Sequence, residues 1–364
     1  MAYFVLCAGG TGGHLFPAQA LSQVLRRRGH RVGLVTDDRA DQYGVSLPVD
    51  KTHIVPAASI SKGSPFRAAS SAITIMRGLM RSLDIFRHER PAVVVGFGGY
   101  PTVPPLLAAR LLRIPIALHE QNAVLGRANA SMSKSAKLIA TSFEKTSGIA
   151  SRAKARISHT GNPVRDEVLA VVDQNYVPPD RGRPFHLLVF GGSQGARVFA
   201  DLVPSALEQM EPSLRARVRV TQQCRPEDLV RARDALEVLG VGNDLGSFFV
   251  DMPARIAAAS LVIARSGAST VAELAAIGRP SILVPYPHAL DHDQAKNAEQ
   301  LEAAGGAIVT LQKNIGPVRL AQLLTKLMDD ENPQLATMAA ASKQAGRPSA
   351  AQALADEVEA LASR

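Results

Sequence analysis

The sequence predicts an α/β protein made of two Rossmann-like domains, each a doubly wound parallel sheet, with a cleft between them. Three observations carry this. Short apolar strands alternate with helix-like segments, the pattern of βαβ units. That pattern breaks once, at a polar, proline-rich stretch between Val171 and Pro184, and then restarts. Glycine-rich turns follow strands in both halves, where open parallel sheets bind ligands.

Size and composition agree. At 364 residues the chain exceeds one ordinary domain, and 46% apolar residues supply two cores. Charged residues make up only 20%, which excludes a disordered chain. Aromatics are 4% with no Trp, so the cores are aliphatic, as between helices and parallel sheets. A net charge of +9 favours an anionic partner. Nucleic acid is excluded, because no stacking surface of aromatic and basic residues is present. Cys7 and Cys224 form no disulfide framework or metal cluster. The N-terminus lacks the basic segment of a signal peptide. Apolar runs such as Ile256 to Ala264 fall short of the ~20 residues that span a bilayer. A cytoplasmic protein is expected.

In chain order, Tyr3 to Cys7 reads as a buried strand. Pro17 to Arg28 reads as a helix stopped by Gly29, with arginines in its last turn. Further strands are predicted at Arg31 to Thr36, Ala92 to Val95, Pro115 to His119, Leu138 to Thr141 and Arg156 to Thr160. The second half offers strands at His186 to Phe190, Val218 to Gln222, Ser247 to Val250, Leu261 to Ala264 and Ser281 to Pro285. The expected domains are 1–163, on the acceptor and membrane side, and 164–340. A terminal helix, 341–364, is expected to pack back on the first domain.

Four glycine turns carry the functional signal. They are Gly9-Gly10-Thr11-Gly12-Gly13-His14, Gly96-Phe97-Gly98-Gly99-Tyr100, Gly191-Gly192-Ser193-Gln194-Gly195-Ala196 and Ser266-Gly267-Ala268-Ser269-Thr270. Each alone is also an ordinary tight turn. Together, at strand ends in both halves, they predict a site for a polyphosphate or sugar phosphate, held by close backbone approach and helix-start amides. A dinucleotide dehydrogenase is the rival, since Asp37 and Asp38 end the second strand. Against it, Leu15 stands where that fingerprint needs a small residue.

Several motifs, taken in order, resemble one family: GGTGGHLFP (9–17), GFGGYPTVP (96–104), HEQN (119–122), TGNPVR (160–165), GGSQGAR (191–197) and RSGASTVAELAAIGRPSILVPYPHALDHDQAKNA (265–298). The chain is similar to the bacterial N-acetylglucosaminyltransferases that convert lipid I to lipid II in peptidoglycan synthesis. The resemblance implies the GT-B fold, UDP-N-acetylglucosamine as donor, an undecaprenyl-linked acceptor, no cofactor, and a peripheral place on the cytoplasmic face of the inner membrane. It also implies the donor contacts. Ser193 would meet the diphosphate, and Ala268, Ser269, Thr270, Val271 and Ala272 would offer a helix start near the nucleotide. Glu273 would accept from the ribose hydroxyls, Phe249 would present backbone groups to uracil, and Arg165 would reach the nucleotide. Gln294 and Asn122 would hold the sugar, with Thr11, Gly12 and Gly13 lining the same pocket. Asp293 departs from the glutamine the family often has before Gln294. A lipid glycosyltransferase of the same fold, a UDP-N-acetylglucosamine 2-epimerase and a non-catalytic nucleotide-sugar binding subunit remain as alternatives.

Sugar transfer needs a base and a stabilised leaving diphosphate. Amide-lined turns supply the second without a metal. Asp291-His292-Asp293 comes nearest to a metal motif and reads better as a helix cap. His14, at a helix start whose dipole keeps its ring neutral, is the first choice of base. Glu120 competes, and Tyr100 positions the acceptor. Inversion at the transferred sugar, with a new bond to the acceptor 4-hydroxyl, is implied by the resemblance. From Ser61 to Arg90 apolar residues and arginines are interleaved. The stripe Ile73-Met76-Met80-Leu83 is expected to face the sheet, and Ile75, Leu79 and Phe86 an anionic membrane.

Overall fold

The computed structural model describes residues 1–9, 11–38, 47–59, 65–149, 155–180, 182–192, 195–329 and 331–363. These form two compact units, Met1–Asp166 with Pro348–Arg364, and Glu167–Arg347.

The first unit runs β1 (Tyr3–Cys7), α1 (Gly12–Arg27), β2 (Arg31–Thr36), β3 (Lys51–Ile54), α2 (Pro65–Glu89), β4 (Val93–Gly96), α3 (Val103–Leu111), β5 (Ile116–Glu120), α4 (Arg127–Met132), β6 (Leu138–Thr141) and β7 (Arg156–His159). Among the described residues its strands make one seven-stranded sheet, β3-β2-β1-β4-β5-β6-β7. Every pairing is parallel. β1 is central, so both its faces are covered and all five of its residues are buried.

The second unit continues with α5 (Asp166–Leu169), β8 (Phe185–Phe190), α6 (Arg197–Glu208), α7 (Pro212–Arg215), β9 (Val218–Gln223), α8 (Leu229–Val238), β10 (Gly242–Gly246), α9 (Met252–Ala258), β11 (Leu261–Ala264), α10 (Ala268–Ile277), β12 (Ser281–Leu283), α11 (Asp293–Ala303), β13 (Ala307–Val309), α12 (Pro317–Leu327) and α13 (Gln334–Ala345). Its described strands form a parallel six-stranded sheet, β10-β9-β8-β11-β12-β13. The linker is fastened to this unit. The Arg279 guanidinium, stacked on Tyr176, donates to Gln174 O, and Tyr176 Oη donates to Ser260 O.

The last helix, α14 (Ala350–Ala362), belongs to the first unit. Ala351, Leu354, Ala355 and Val358 enter the same core as Leu21 and Leu25 of α1. Arg28, in the turn that ends α1 before Gly29 (φ +80), bonds Asp356 and Glu359, and Arg156 bonds Glu357. Of the arginines read as complements to the helix dipole, Arg28 is therefore also part of the seat of α14.

Three expectations need correction. Ser247 to Val250 is not a strand; the strand is β10, just before it, and Phe249 lies in the loop that follows. The apolar Phe248-Phe249-Val250 run imitated a strand, whereas β10 is half exposed at a sheet edge. β3 and β13 went unread, one because it is mostly exposed and the other because it is three residues long.

The third correction concerns α2. Phe86 is 1% exposed and Leu79 packs on the core with Leu83 and Ile85, whereas Ile73, Met76 and Met80 are 55%, 57% and 58% exposed. Ile75 is half-buried. Gly78 fixes this face, because a Cβ there would strike the Pro56 carbonyl and come within 3.1 Å of Pro104. Ser82, one turn on, is fully buried and bonds Gly78 O. Small residues four apart let the helix approach its neighbours closely, so the outward stripe is Ile73-Met76-Met80.

Leu354 is fully buried. Leu354→Ala is expected to cost about 2–5 kcal/mol of stability. Urea unfolding of the full chain checks this, and an unchanged midpoint would mean that α14 is dispensable to the first unit.

Candidate active site

In the first unit the site forms where β1, β4 and β5 end. Thr11 precedes α1 in extended conformation without capping it by its side chain, so the first-turn amides, including those of Gly12 and Gly13, carry no side-chain cap. His14 is half-buried in that turn, with Nδ1 3.2 Å from Gly9 O and 3.0 Å from Thr11 Oγ1. A carbonyl oxygen only accepts, so Nδ1 carries the hydrogen and Nε2 keeps its lone pair. Burial lowers the imidazole pKa below its ordinary value, partly offset by the Gly9 carbonyl. His14 thus has an imidazole held toward its neutral form, with a defined accepting atom.

Nε2 borders the second glycine turn. Gly98 has φ +92, and a Cβ there would lie 3.3 Å from His14 Nε2 and 3.4 Å from Asn129 Nδ2. Tyr100 follows, its hydroxyl 3.3 Å from Oδ2 of the buried Asp37. The acid considered above for a ribose therefore serves Tyr100.

β5 delivers His119 and Glu120 into the interior. His119 is fully buried, Nε2 donating to Gly161 O at 3.1 Å and Nδ1 accepting from Gln121 Nε2 at 3.0 Å. Burial pulls its pKa down to about 4. The Glu120 carboxylate accepts from Asn122 N (3.0 Å), Asn122 Nδ2 (3.3 Å), Gly126 N (2.9 Å) and Asn129 Nδ2 (2.8 Å). Burial pushes its carboxyl up from the ordinary range, against the pull of these donors. Glu120 thus anchors the turn that carries Asn122. Asn129, which sequence reasoning missed, completes that anchor; its only signal is an amide residue on the short helix after HEQN. Arg165 lies in this same unit, its guanidinium 4.0 Å from the centre of the Phe16 ring of α1.

In the second unit Ser193 and Gln194 lie outside the described residues. Their flanks, Gly192 (φ +80) and Gly195 (φ +66), adopt the left-handed backbone that glycine tolerates. Gly267 starts α10 without a side-chain cap, leaving the first-turn amides around Ala268, Ser269 and Thr270 for other acceptors. Ser269 Oγ is buried there and has no hydrogen-bond partner among the described residues. Val271, Ala272 and the buried Glu273 follow on the same helix. α11 is laced to this turn: Ser266 Oγ donates to Gln294 O (2.8 Å), Asn297 Nδ2 to Ser266 O (3.3 Å), and Tyr286 N to Gln294 Oε1 (3.0 Å). Before α11 the backbone is strained, with Asp291 and His292 both at positive φ (55° and 56°). Asp293, the first residue of α11, accepts at Oδ1 from Gln294 N at 2.7 Å, whereas the N-cap itself, His292, gives no side-chain cap. Phe249 carries the Arg255 guanidinium 4.0 Å over its ring, which holds the loop after β10. Thus one unit gathers Thr11, His14, Tyr100, Glu120, Asn122 and Arg165, and the other Phe249, the α10 start and Gln294.

Comparison with known proteins gives three kinds of likeness. Residues 4–141 match the family model "Glycosyltransferase family 28 N-terminal domain" and residues 186–354 its "C-terminal domain". The UDP-N-acetylglucosamine--N-acetylmuramyl-(pentapeptide) pyrophosphoryl-undecaprenol N-acetylglucosamine transferase of Rhizobium etli is 51% identical over 98% of this chain and 95% of its own. The protein of that name from Methylorubrum populi is 51% identical over 94% and 92%. Among solved structures, Acinetobacter baumannii MurG superposes with a TM-score of 0.77 at 28% identity, covering 99% of this chain and 100% of that one. A UDP-GlcNAc 2-epimerase from Neisseria meningitidis shares the fold alone, with a TM-score of 0.67 at 11% identity over 98% and 100%.

The titration of His119 gives a prediction. Its ring binds a proton near pH 6.5 when unfolded and near about 4 when folded, so the unfolded chain holds more protons in that window. Stability therefore falls as the pH drops through it, by about 2 kcal/mol between pH 7 and pH 5. Urea midpoints at the two pH values measure this for the wild type, and His119→Gln is expected to flatten the difference. An equal slope in the variant would show that His119 is not the group responsible.

Proposed function

Because the chain belongs to glycosyltransferase family 28, we infer that it transfers N-acetylglucosamine from UDP-N-acetylglucosamine to N-acetylmuramyl-(pentapeptide) pyrophosphoryl-undecaprenol, converting lipid I to lipid II. The observation that carries this is 51% identity to a transferase of that name over 98% of the chain. The enzyme is a hexosyltransferase of the GT-B fold, acting in peptidoglycan synthesis.

The second unit holds the donor. Amides at the uncapped start of α10 meet diphosphate oxygens, Glu273 accepts from the ribose, the Phe249 loop receives uracil, and Gln294 bonds the sugar. Ser193, with its neighbouring glycines, contributes to the same diphosphate. Arg165 adds a cation for the nucleotide. The first unit serves the acceptor, with Thr11, Gly12, Gly13 and Asn122 at the sugar and Tyr100 orienting the nucleophile.

The 4-hydroxyl oxygen of the acceptor attacks the anomeric carbon and loses its proton to His14 Nε2. The carbon–oxygen bond to the diphosphate breaks, and UDP leaves with the electron pair. The configuration inverts. Nε2 suits this role because Nδ1–H is committed to Gly9 O, and because the lowered pKa keeps the ring unprotonated. Donation from helix-start amides to the diphosphate stabilises the charge that develops on it.

The acceptor is a membrane lipid, so the protein has to meet a bilayer. No helix among the described residues is long and apolar enough to cross one. α2 offers another contact. Ile73, Met76 and Met80 line one outward face, with Arg77 and Arg81 beside them. Apolar side chains entering the interface, with arginines at anionic headgroups, would hold the enzyme peripherally on the cytoplasmic face.

Two experiments test these readings. With radiolabelled donor and lipid I, His14→Ala is expected to lower turnover by about a hundredfold to ten-thousandfold while UDP binding persists. Near-normal turnover would remove His14 from the proton transfer, and an inert wild type would leave only a binding protein. For the membrane, replacing Ile73, Met76 and Met80 together by Ser should abolish cosedimentation with phosphatidylglycerol vesicles at low salt. Retained binding would place the contact elsewhere.

A further inference from the structure

We propose that Arg225 is a further diphosphate-binding residue, a cation supplied from the end of β9 to the glycine turn that opens α6; this rests on the donor assignment above. The observation behind it is a close approach. A Cβ on Gly195 would lie 3.1 Å from Arg225 Cγ and 3.4 Å from its backbone N, so the stem of the arginine runs along the turn. From Cγ the guanidinium can extend about 4–5 Å further, within reach of an anion seated at the start of α6.

Its lack of partners sets this arginine apart. Arg215, Arg217, Arg255, Arg265 and Arg279, the other arginines of this unit that are buried or half-buried, all donate to carbonyls or side-chain oxygens. The Arg225 side chain is half-buried and makes no hydrogen bond or ion pair among the described residues. The nearest acid in sequence with a buried carboxylate, Asp228, turns its Oδ1 to Arg231 at 2.6 Å and to Arg197 at 4.0 Å, while its buried Oδ2 meets no donor, Arg225 included, among the described residues. An arginine held against a glycine turn with no carboxylate of its own is matched to an anion from outside.

A second, independent observation comes from Gln222. It is fully buried, and apart from the Cys224 thiol its amide atoms have no hydrogen-bond partner among the described residues. Buried amides are almost always bonded. Val218 and Val220, two and four residues earlier on β9, pack in one core with Phe199 and Val203 of α6. Strand alternation turns Gln222 to that face, at the end of β9 nearest the start of α6. The start of α6 is itself open, since Ala196 gives no side-chain cap and the first-turn amides are left for an acceptor. Amides at the start of α6, a buried carboxamide and an unpaired guanidinium thus lie at the ends of two neighbouring parallel strands, β8 and β9. A nucleoside diphosphate is the ligand whose charge matches them.

Calorimetry on the full chain with UDP and with uridine tests this. Arg225→Ala is expected to weaken UDP about tenfold to a hundredfold, leave uridine unchanged and reduce the salt dependence of UDP binding, while Arg225→Lys recovers part of the loss. UDP binding to Arg225→Ala equal to wild type overturns the proposal. So does an equal loss for uridine, which would mean a disturbed fold. A wild-type protein that binds uridine but gains nothing from the diphosphate overturns it too. Wild type binding neither ligand would bring down the donor assignment itself.

Discussion

A carboxylate buried at the end of β5 constrains the first unit's site. Leaving Glu120 unpaired there would cost several kcal/mol, and the chain meets the charge with four N–H donors from residues 122, 126 and 129. Those bonds dictate the path of the turn after the strand, and hence the direction of Asn122. They also bring Asn129 beside Gly98, next to the His14 ring. The same bonds argue against Glu120 as the base, because taking a proton would mean surrendering donors that the turn needs. His14 has the opposite arrangement, with one nitrogen tied down and the other open. Two candidates that look alike in the sequence are thus separated by what already occupies their lone pairs.

Much of this was legible before any coordinates. Strand-turn-helix alternation gave both sheets, since a parallel strand covered on both faces is a short apolar run and little else resembles one. The glycine turns marked strand ends because glycine takes most readily the positive φ found at 98, 99, 192 and 195. What stayed hidden was contact across distance. Nothing local says that Asn129 bonds Glu120, that Tyr100 meets Asp37, or that Phe16 carries Arg165. The Phe248–Val250 run shows the other limit, where an apolar tripeptide carries a strand's composition without a strand's neighbours.

Helix α2 shows a misreading of a different kind. Counting apolar residues at helical spacing finds two stripes and cannot choose between them. The choice is made by Gly78 and Ser82, residues that carry no hydrophobic signal and that allow backbones to come close. Once they face inward, Leu79, Leu83 and Phe86 follow them into the core, and Ile73, Met76 and Met80 are left outside. The smallest side chains fixed the orientation of the largest.

Surface arginines in both units are matched to carboxylates, as Arg231 is to Asp228 and Arg255 to Asp251 in the second, but two buried ones are not, and this bears on the chemistry. In the first, basic groups are matched to carboxylates: Arg26 to Asp50, Arg27 to Asp166, Arg28 to Asp356 and Glu359, Arg156 to Glu357. In the second, two buried arginines have no such match. Arg265 donates to the carbonyls of Val284 and Pro285 and to the amide oxygen of Gln312, and Arg279 donates to backbone carbonyls. Burial lowers both pKa values, but an arginine remains protonated regardless. Carbonyl dipoles solvate a guanidinium without cancelling its charge, and in a weakly polarisable interior that charge is felt at longer range than in water. Arg265 stands immediately before Ser266 and Gly267, where α10 begins. A buried positive charge on the residue that leads into that helix, in addition to the helix dipole, favours any step in which a phosphate bound there gains negative charge. The departure of a nucleoside diphosphate is such a step.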